Sequence, residues 1–272
     1  MSLIQLTEEN IKKIINEELG IALEVNNCSN EIFLNIVDDI KKQPVEKNEL
    51  CTVTNGIVKA IVNDVNFQVS YTYRNFFSKD LIKNIDIDIL TTGGSAFVNK
   101  NLIICYVNLI GINGNINKLE AINTIQHEVE HIYQEIKSNQ RIPKNDKKYA
   151  KMRTDLEYGD EKHKKVAKLF YLCLKSEQEA FINGTYAWCM CDDIKSPPYT
   201  YKEIINSPAG KLYIELKDLY LELIDDNEMF SILKNEYKIS LNEIEKSIKQ
   251  FLKRLGKVLI KINNDKLKIW RI

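Results

Sequence analysis

The sequence predicts an α+β protein: a small twisted, mostly antiparallel sheet packed on a helix that carries the pattern His-Glu-x-x-His, followed by a mainly helical C-terminal part ending in a β-hairpin. Three observations lead there. Residues 50 to 112 are rich in β-branched and aromatic side chains, with strict alternation from Phe67 to Tyr73. From Asn117 onward the apolar positions recur at helical spacing behind recognisable caps. At the end of the chain, Val258 to Ile262 and Leu267 to Ile272 flank Asn263-Asn264-Asp265-Lys266, a short hairpin connection.

Taken in order, Thr7 precedes an acidic first turn and an apolar set at Ile11, Ile14, Ile15 and Leu19, with Gly20 where a helix would end. A second helix is expected from Ser29 to about Lys42, burying Ile32, Phe33, Ile36, Val37 and Ile40 before Pro44 stops it. From Asn55 to Asn75 two strands meet near Asn63-Asp64. Asp86 to Leu90 and Ala96 to Val98 are short extended candidates around a Thr91-Thr92-Gly93-Gly94-Ser95 turn, and Leu102 to Leu109 reads as a buried strand. Asn117 with Glu120 opens a helix that should reach Ser138. Asn139 to Lys148 is polar, contains Pro143 and reads as a loop, and the charge run Lys144 to Lys151 as a solvated one. A long helical pattern follows from about Lys162 to Cys191, ended by Pro197-Pro198. Ser207-Pro208 and Ser240 with Glu243 open two more helices, to about Asp225 and Leu255. This organisation suggests a domain over residues 1–191 and a helical region over 192–272 closed by the hairpin.

Composition narrows the function classes. The 272 residues hold 38 Lys+Arg against 38 Asp+Glu, so the broad basic field used in non-specific nucleic-acid or membrane-surface binding is absent. Neither partner is expected. Met1 to Gly20 intersperses Glu8, Glu9, Lys12, Lys13, Glu17 and Glu18 among its apolar residues, unlike a secretory signal. The most apolar stretch, Leu102 to Ile112, is too short to span a bilayer and contains Asn108. The six cysteines fit reduced thiols in a cytoplasmic protein better than a disulfide framework.

Histidine is scarce: there are three, and two fall in Ile125-Gln126-His127-Glu128-Val129-Glu130-His131-Ile132. Residues four apart share a helix face, so His127 and His131 can aim ring nitrogens at one point, while Glu128, about 100° round, can reach a ligand of the metal rather than the metal itself. Two neutral imidazoles suit Zn²⁺, a third protein ligand completes the protein's share, and the open position holds a water whose pKa the ion lowers. Glu128 is then the general base. Chance would produce the pattern in a chain this poor in histidine on the order of once in several hundred sequences, and here it falls within an apolar-periodic helix behind a strand.

In these residues, and in the order of sheet then His-Glu-x-x-His helix over residues 50 to 139, the chain resembles the zincin metallopeptidases. The resemblance implies a peptidase in which the motif glutamate is the base and a peptide or protein substrate lies along an edge strand. Metzincins are disfavoured, because Ile132-Tyr133-Gln134-Glu135-Ile136-Lys137 lacks their glycine and third histidine. Gluzincins take a glutamate from a later helix, often as Glu-x-x-Ala, and Ser176-Glu177-Gln178-Glu179-Ala180 reproduces that setting. Glu177 is therefore the expected third ligand. Glu179 competes, as do Glu157, Asp155 and Asp160. Ala180 and Gly184 would permit close helix approach.

The remaining positions carry weaker signals. Glu130, Asp155 and Asp160 are available partners for the ligating imidazoles, and no spacing rule chooses among them. His163, Tyr186 or Tyr158 could donate to an oxyanion, but along a continuous helix His163 would stand about 21 Å from Glu177 and reads as a surface residue. Gly93-Gly94 could lie by the cleft, with Ala96-Phe97-Val98 as the edge strand receiving substrate backbone, or could be a plain turn. Cys189-Met190-Cys191 reads as buried thiols rather than a metal pair. Two other classes compete with a peptidase: a non-catalytic zincin-fold protein used for partner binding, and a helical protein without metal. An acid directly after the first histidine favours catalysis, since a structural zinc site does not need one.

Overall fold

Alternating side chains of an extended chain point to opposite faces, so Phe67, Val69, Tyr71 and Tyr73 fall together on one side of a strand, and all four are buried. The structure, a computed structural model, describes residues 28–62, 65–82, 93–99, 102–112, 114–137, 144–192 and 198–270. Six strands form one open sheet: β1 (Glu46–Lys47), β2 (Cys51–Val62), β3 (Val65–Phe76), β4 (Gly93–Asn99), β5 (Leu102–Ile112) and β6 (Asn115–Ile116). Their order is β1-β2-β3-β5-β4, with β6 beside β5, and every pairing is antiparallel except β3 with β5. The β2–β3 ladder runs from Cys51 opposite Phe76 to Val62 opposite Val65, as the alternation predicts, although Asn63-Asp64 itself lies outside the described residues.

Helices cover the apolar face. α1 (Ser29–Ile40) packs on β2, and α3 (Lys118–Lys137) on β4, β5 and α1; the short α2 (Lys79–Ile82) touches β3. Ile32, Phe33 and Ile36 of α1 and Ala121, Ile122, Ile125, Val129 and Ile132 of α3 join Val69, Tyr71, Val107 and Leu109 in a single cluster. Each large apolar side chain buried there stabilises by about 1.5–3 kcal/mol relative to exposure. The opposite face is left to water at Asn55, Ile57, Lys59, Ile61, Tyr106 and Asn108.

Helices follow the sheet: α4 (Lys144–Leu156), α5 (Glu161–Cys173), α6 (Lys175–Met190), α7 (Tyr201–Asn206), α8 (Pro208–Asp225), α9 (Asn227–Ser231), a π-helical turn at Ile232–Glu236, and α10 (Leu241–Trp270). Among the described residues the chain divides into two compact units, one within Val25–Gln140 and Tyr186–Asp193, the other within Arg141–Thr185 and Ile194–Ile272. In the latter, α5 packs on α4, α8 and α9, and α8 on α7 and α10. Tyr149 stacks on Phe170 with ring centroids 5.6 Å apart, and Tyr213 meets Phe251 edge-on at 6.1 Å.

Four expectations are corrected. The terminal hairpin is absent: α10 continues to Trp270, because Leu252, Leu255, Val258, Leu259, Ile262 and Lys266 form one buried helical stripe. Asn263 sits in mid-helix because its side chain takes the N–H of Tyr199 at 2.6 Å and donates to its carbonyl at 3.0 Å. The helix expected from Lys162 to Cys191 is two helices, broken at Leu174, whose φ of −63° and ψ of 126° are extended. The loop and charge run expected at 139–151 give way at Lys144 to α4, whose Tyr149, Met152 and Leu156 are buried at helical spacing beneath a polar composition. Gly93, Gly94 and Ser95 are strand residues rather than a turn, since they pair with Asn108, Val107 and Tyr106 of β5. The helix from Thr7 to Gly20, the candidate strand at Asp86 to Leu90, and Thr91-Thr92 lie outside the described residues.

Candidate metal centre

α3 starts where its cap places it: the N–H of Glu120 donates to Asn117 Oδ1 at 3.4 Å. Its apolar stripe then fixes the rotation of the helix, and the residues beside that stripe include His127 at 8% exposure, Glu128 at 5% and the half-buried His131. The Nε2 atoms of His127 and His131 face one another at 3.1 Å, with the rings nearly perpendicular at 86°. Two nitrogens bound to one tetrahedral zinc at about 2.0–2.1 Å stand about 3.3 Å apart, so the observed separation suits a shared ion. His131 Nδ1 lies 3.3 Å from Gln134 Oε1, an acceptor for the proton in the tautomer that leaves Nε2 free to bind an ion.

Glu177 completes the group. One ligand atom from each of His127, His131 and Glu177 lies within 4.8 Å of the others. This set of two imidazole nitrogens and one carboxylate oxygen could hold a metal ion. Glu177 is half-buried in the first turn of α6, with Ala180 and Gly184 buried further along. Glu179 is instead engaged by cations: Lys175 Nζ stands 3.5 Å and Arg254 Nε 3.8 Å from its Oε1. Asp160 caps α5, accepting from the backbone of Lys162 and His163, while Asp155 and Glu157 are exposed.

Glu128 lies against the end of the sheet. A Cβ built on Gly94 would fall 2.4 Å from its Cγ, 2.8 Å from its Cδ and 2.6 Å from the carbonyl oxygen of Tyr106. No other residue type fits there without displacing the carboxylate side chain or the backbone. Gly94 opposes Val107, which opposes Tyr71, which opposes Gly56, so one row across the sheet ends in a glycine on both sides. At its other end Gly56 leaves room for the Tyr71 hydroxyl, which donates to Asp39 Oδ2 at 2.9 Å. Burial and the Asp39 charge hold that phenol far above its usual range. β4 ends the strand order, so the strand beside Glu128 is an edge strand among the described residues.

The other candidates are placed elsewhere in the chemistry. His163 Nδ1 is 2.8 Å from Asp160 Oδ1, and this hydrogen bond raises the imidazole pKa and ties the ring to the start of α5. Tyr158 is 89% exposed, and Tyr186 is buried. All six cysteines are free thiols, and Cys189 and Cys105 are fully buried. Desolvation, with a smaller push from the Glu128 charge, holds the Cys105 thiol well above its usual pKa, and burial raises Cys28 to about 11, so neither is a thiolate at neutral pH. No described helix is long and apolar enough to cross a membrane. Asp146, which the sequence does not mark as a functional residue, is 3% exposed and caps α6. Its only signal was an acid in a charged run.

Comparison with known proteins returns no match among family models, curated proteins or solved structures.

Proposed function

We propose that the protein is a zinc-dependent peptidase of zincin type, with gluzincin-like ligands. His127, His131 and Glu177 would hold Zn²⁺, and Glu128 would be the general base. The observation that carries this reading is the grouping of the two motif histidines with Glu177 within 4.8 Å. Glu177 was expected from the resemblance to gluzincins, through its Glu-x-x-Ala setting. A bound zinc ion supplies a Lewis acid that polarises a carbonyl and lowers the pKa of a coordinated water.

The chain's own residues account for the rest. Glu128 accepts a proton from the water that attacks the amide carbon and delivers it to the amine that leaves, so that one C–N bond breaks as one C–O bond forms. Its burial keeps the carboxylate away from bulk water, and the absence of a side chain at Gly94 lets it stand directly beside β4. An extended substrate adding to the side of β4 that is unpaired among the described residues would bring its backbone past Glu128. That placement supports peptide over small-molecule hydrolysis.

Metal analysis of the purified full chain tests the centre: about one zinc per chain is expected in the wild type and none in His127→Ala, and a wild type without stoichiometric zinc overturns the assignment. A peptide library tests the chemistry. Cleavage by the wild type and its loss in Glu128→Gln, with zinc retained, are expected. If both proteins bind zinc and neither cleaves, the binding-protein reading replaces the peptidase one.

A further inference from the structure

The helix that presents Glu177 draws a cap from a distant part of the chain. Leu174 precedes it, and an apolar side chain cannot accept the N–H groups that the first turn leaves over. Asp146, in the first turn of α4, accepts two of them: Lys175 N donates to Oδ1 at 3.1 Å and Ser176 N to Oδ2 at 3.0 Å. The next residue is Glu177. A carboxylate that is 3% exposed is tolerated only when its oxygens are well bonded, and charge-assisted bonds from helix N–H groups are among the stronger ones.

The residue after Glu177 is held as firmly. Gln178 is 1% exposed; its Nε2 donates to Leu172 O at 2.9 Å and to Ser247 Oγ at 3.0 Å, and its Oε1 accepts from Arg254 Nη1 at 2.6 Å. Ser247 Oγ donates onward to Cys173 O at 3.1 Å. Glu177 thus sits between a backbone position fixed from α4 and a side chain fixed from α10.

We propose that Asp146 is the positioning residue of the metal centre: by fixing the first turn of α6 it sets the direction in which Glu177 presents its carboxylate, with the Gln178–Arg254–Ser247 clamp holding the turn from the other side. Asp146 itself is outside the ligand group. The inference rests on the metal reading above and adds to it a regulator of ligand geometry. Partners that orient metal ligands typically govern affinity by about 10–100-fold.

The test measures Zn²⁺ affinity of the full-length chain by competition with a chromophoric chelator, together with the visible absorption of the Co²⁺ form. It compares the wild type with Asp146→Ala, Asp146→Asn, Glu177→Gln and Asp226→Ala. Asp226 is a control, because it also accepts two helix N–H groups, those of Glu228 and Met229, but as the cap directly preceding its own helix, α9. Asp146→Ala should weaken zinc binding by about 10–100-fold and alter the Co²⁺ spectrum. Asp146→Asn, which keeps one acceptor oxygen, should fall between it and the wild type, and Asp226→Ala should match the wild type even where its thermal midpoint drops. Equal affinity in wild type and Glu177→Gln overturns the ligand assignment. A weakened Glu177→Gln beside an unchanged Asp146→Ala overturns the Asp146 inference alone. Equal losses in Asp146→Ala and Asp226→Ala also overturn it, by reducing Asp146 to a general cap. Should Asp146→Ala not fold, Asp146→Asn against Asp226→Ala decides by the same criteria.

Discussion

The two helices that carry the candidate ligands start in different ways. α3 is capped by the residue directly before it, Asn117, while α6 takes its cap from Asp146, 29 positions earlier, and a clamp from Arg254, 76 positions later than Gln178. A helix with its own cap and its own apolar stripe has its rotation written in contiguous sequence. A helix capped from elsewhere acquires its first turn only when the surrounding chain has folded. The two histidines are thus placed by local chemistry, and the glutamate by distant partners.

Removing a ligand should produce the largest effects. Full-chain wild type at free zinc about 100 times its Kd should gain about 2.7 kcal/mol of stability, seen as a rise in thermal midpoint that a chelator reverses. His127→Ala should lose that rise altogether, and Glu177→Ala should lose most of it. Equal midpoints with and without zinc in the wild type would remove the basis for comparing the two helices as ligand carriers.

Next in size are changes at Glu128, the proposed base. Glu128→Gln should lower kcat by about 10²–10⁴-fold while zinc content stays at one per chain. Gly94→Ala should act in the same direction, because its Cβ would fall 2.4 Å from Glu128 Cγ and force the base aside. Metal content measured alongside kcat separates this from damage to the ligands; unchanged turnover in Gly94→Ala would show that Glu128 can give way at no cost.

Smaller effects compare the two helix starts directly. Arg254→Met would leave the buried Gln178 oxygen without its donor and should cost about 1–3 kcal/mol in urea denaturation. It should also weaken zinc binding. Asn117→Ala should cost about 1 kcal/mol through the lost cap and leave zinc affinity as it was, since His127 stands about three turns further along α3. A zinc defect in Asn117→Ala as large as that in Arg254→Met would erase the distinction between a locally and a distantly placed ligand.

How much was legible follows the same division. The β2–β3 pair could be read from alternation between Phe67 and Tyr73, because a strand with one buried face repeats every two residues whatever it packs against. Ser207 before Pro208 and Ser240 with Glu243 marked real helix starts for a comparable reason: each cap lies within three residues of its partner. The far end of α10 misled. Asn263-Asn264-Asp265 has the composition of a turn, and only the bonds from Asn263 to Tyr199, 64 positions away, explain an asparagine in mid-helix. Lys266 is likewise a buried lysine, its Nζ donating to the Tyr199 hydroxyl at 3.1 Å. The break at Leu174 was invisible because its neighbours are good helix formers; the acceptor that makes the break possible sits in α4.

The sequence by itself determined the α+β class, the long strands, and the placing of His127, Glu128 and His131 on one helix, because period, caps and i, i+4 spacing act over a few residues. The resemblance to gluzincins, carried by a four-residue context, put Glu177 ahead of Glu179 as the third ligand. Only the tertiary structure decided that Glu177 joins the histidines, that Gly94 opens a space for Glu128 at the end of the sheet, and that a polar run hides the buried Asp146. Each of these depends on groups far apart in the chain meeting in space, where burial and unsatisfied backbone donors, rather than local propensity, select the conformation.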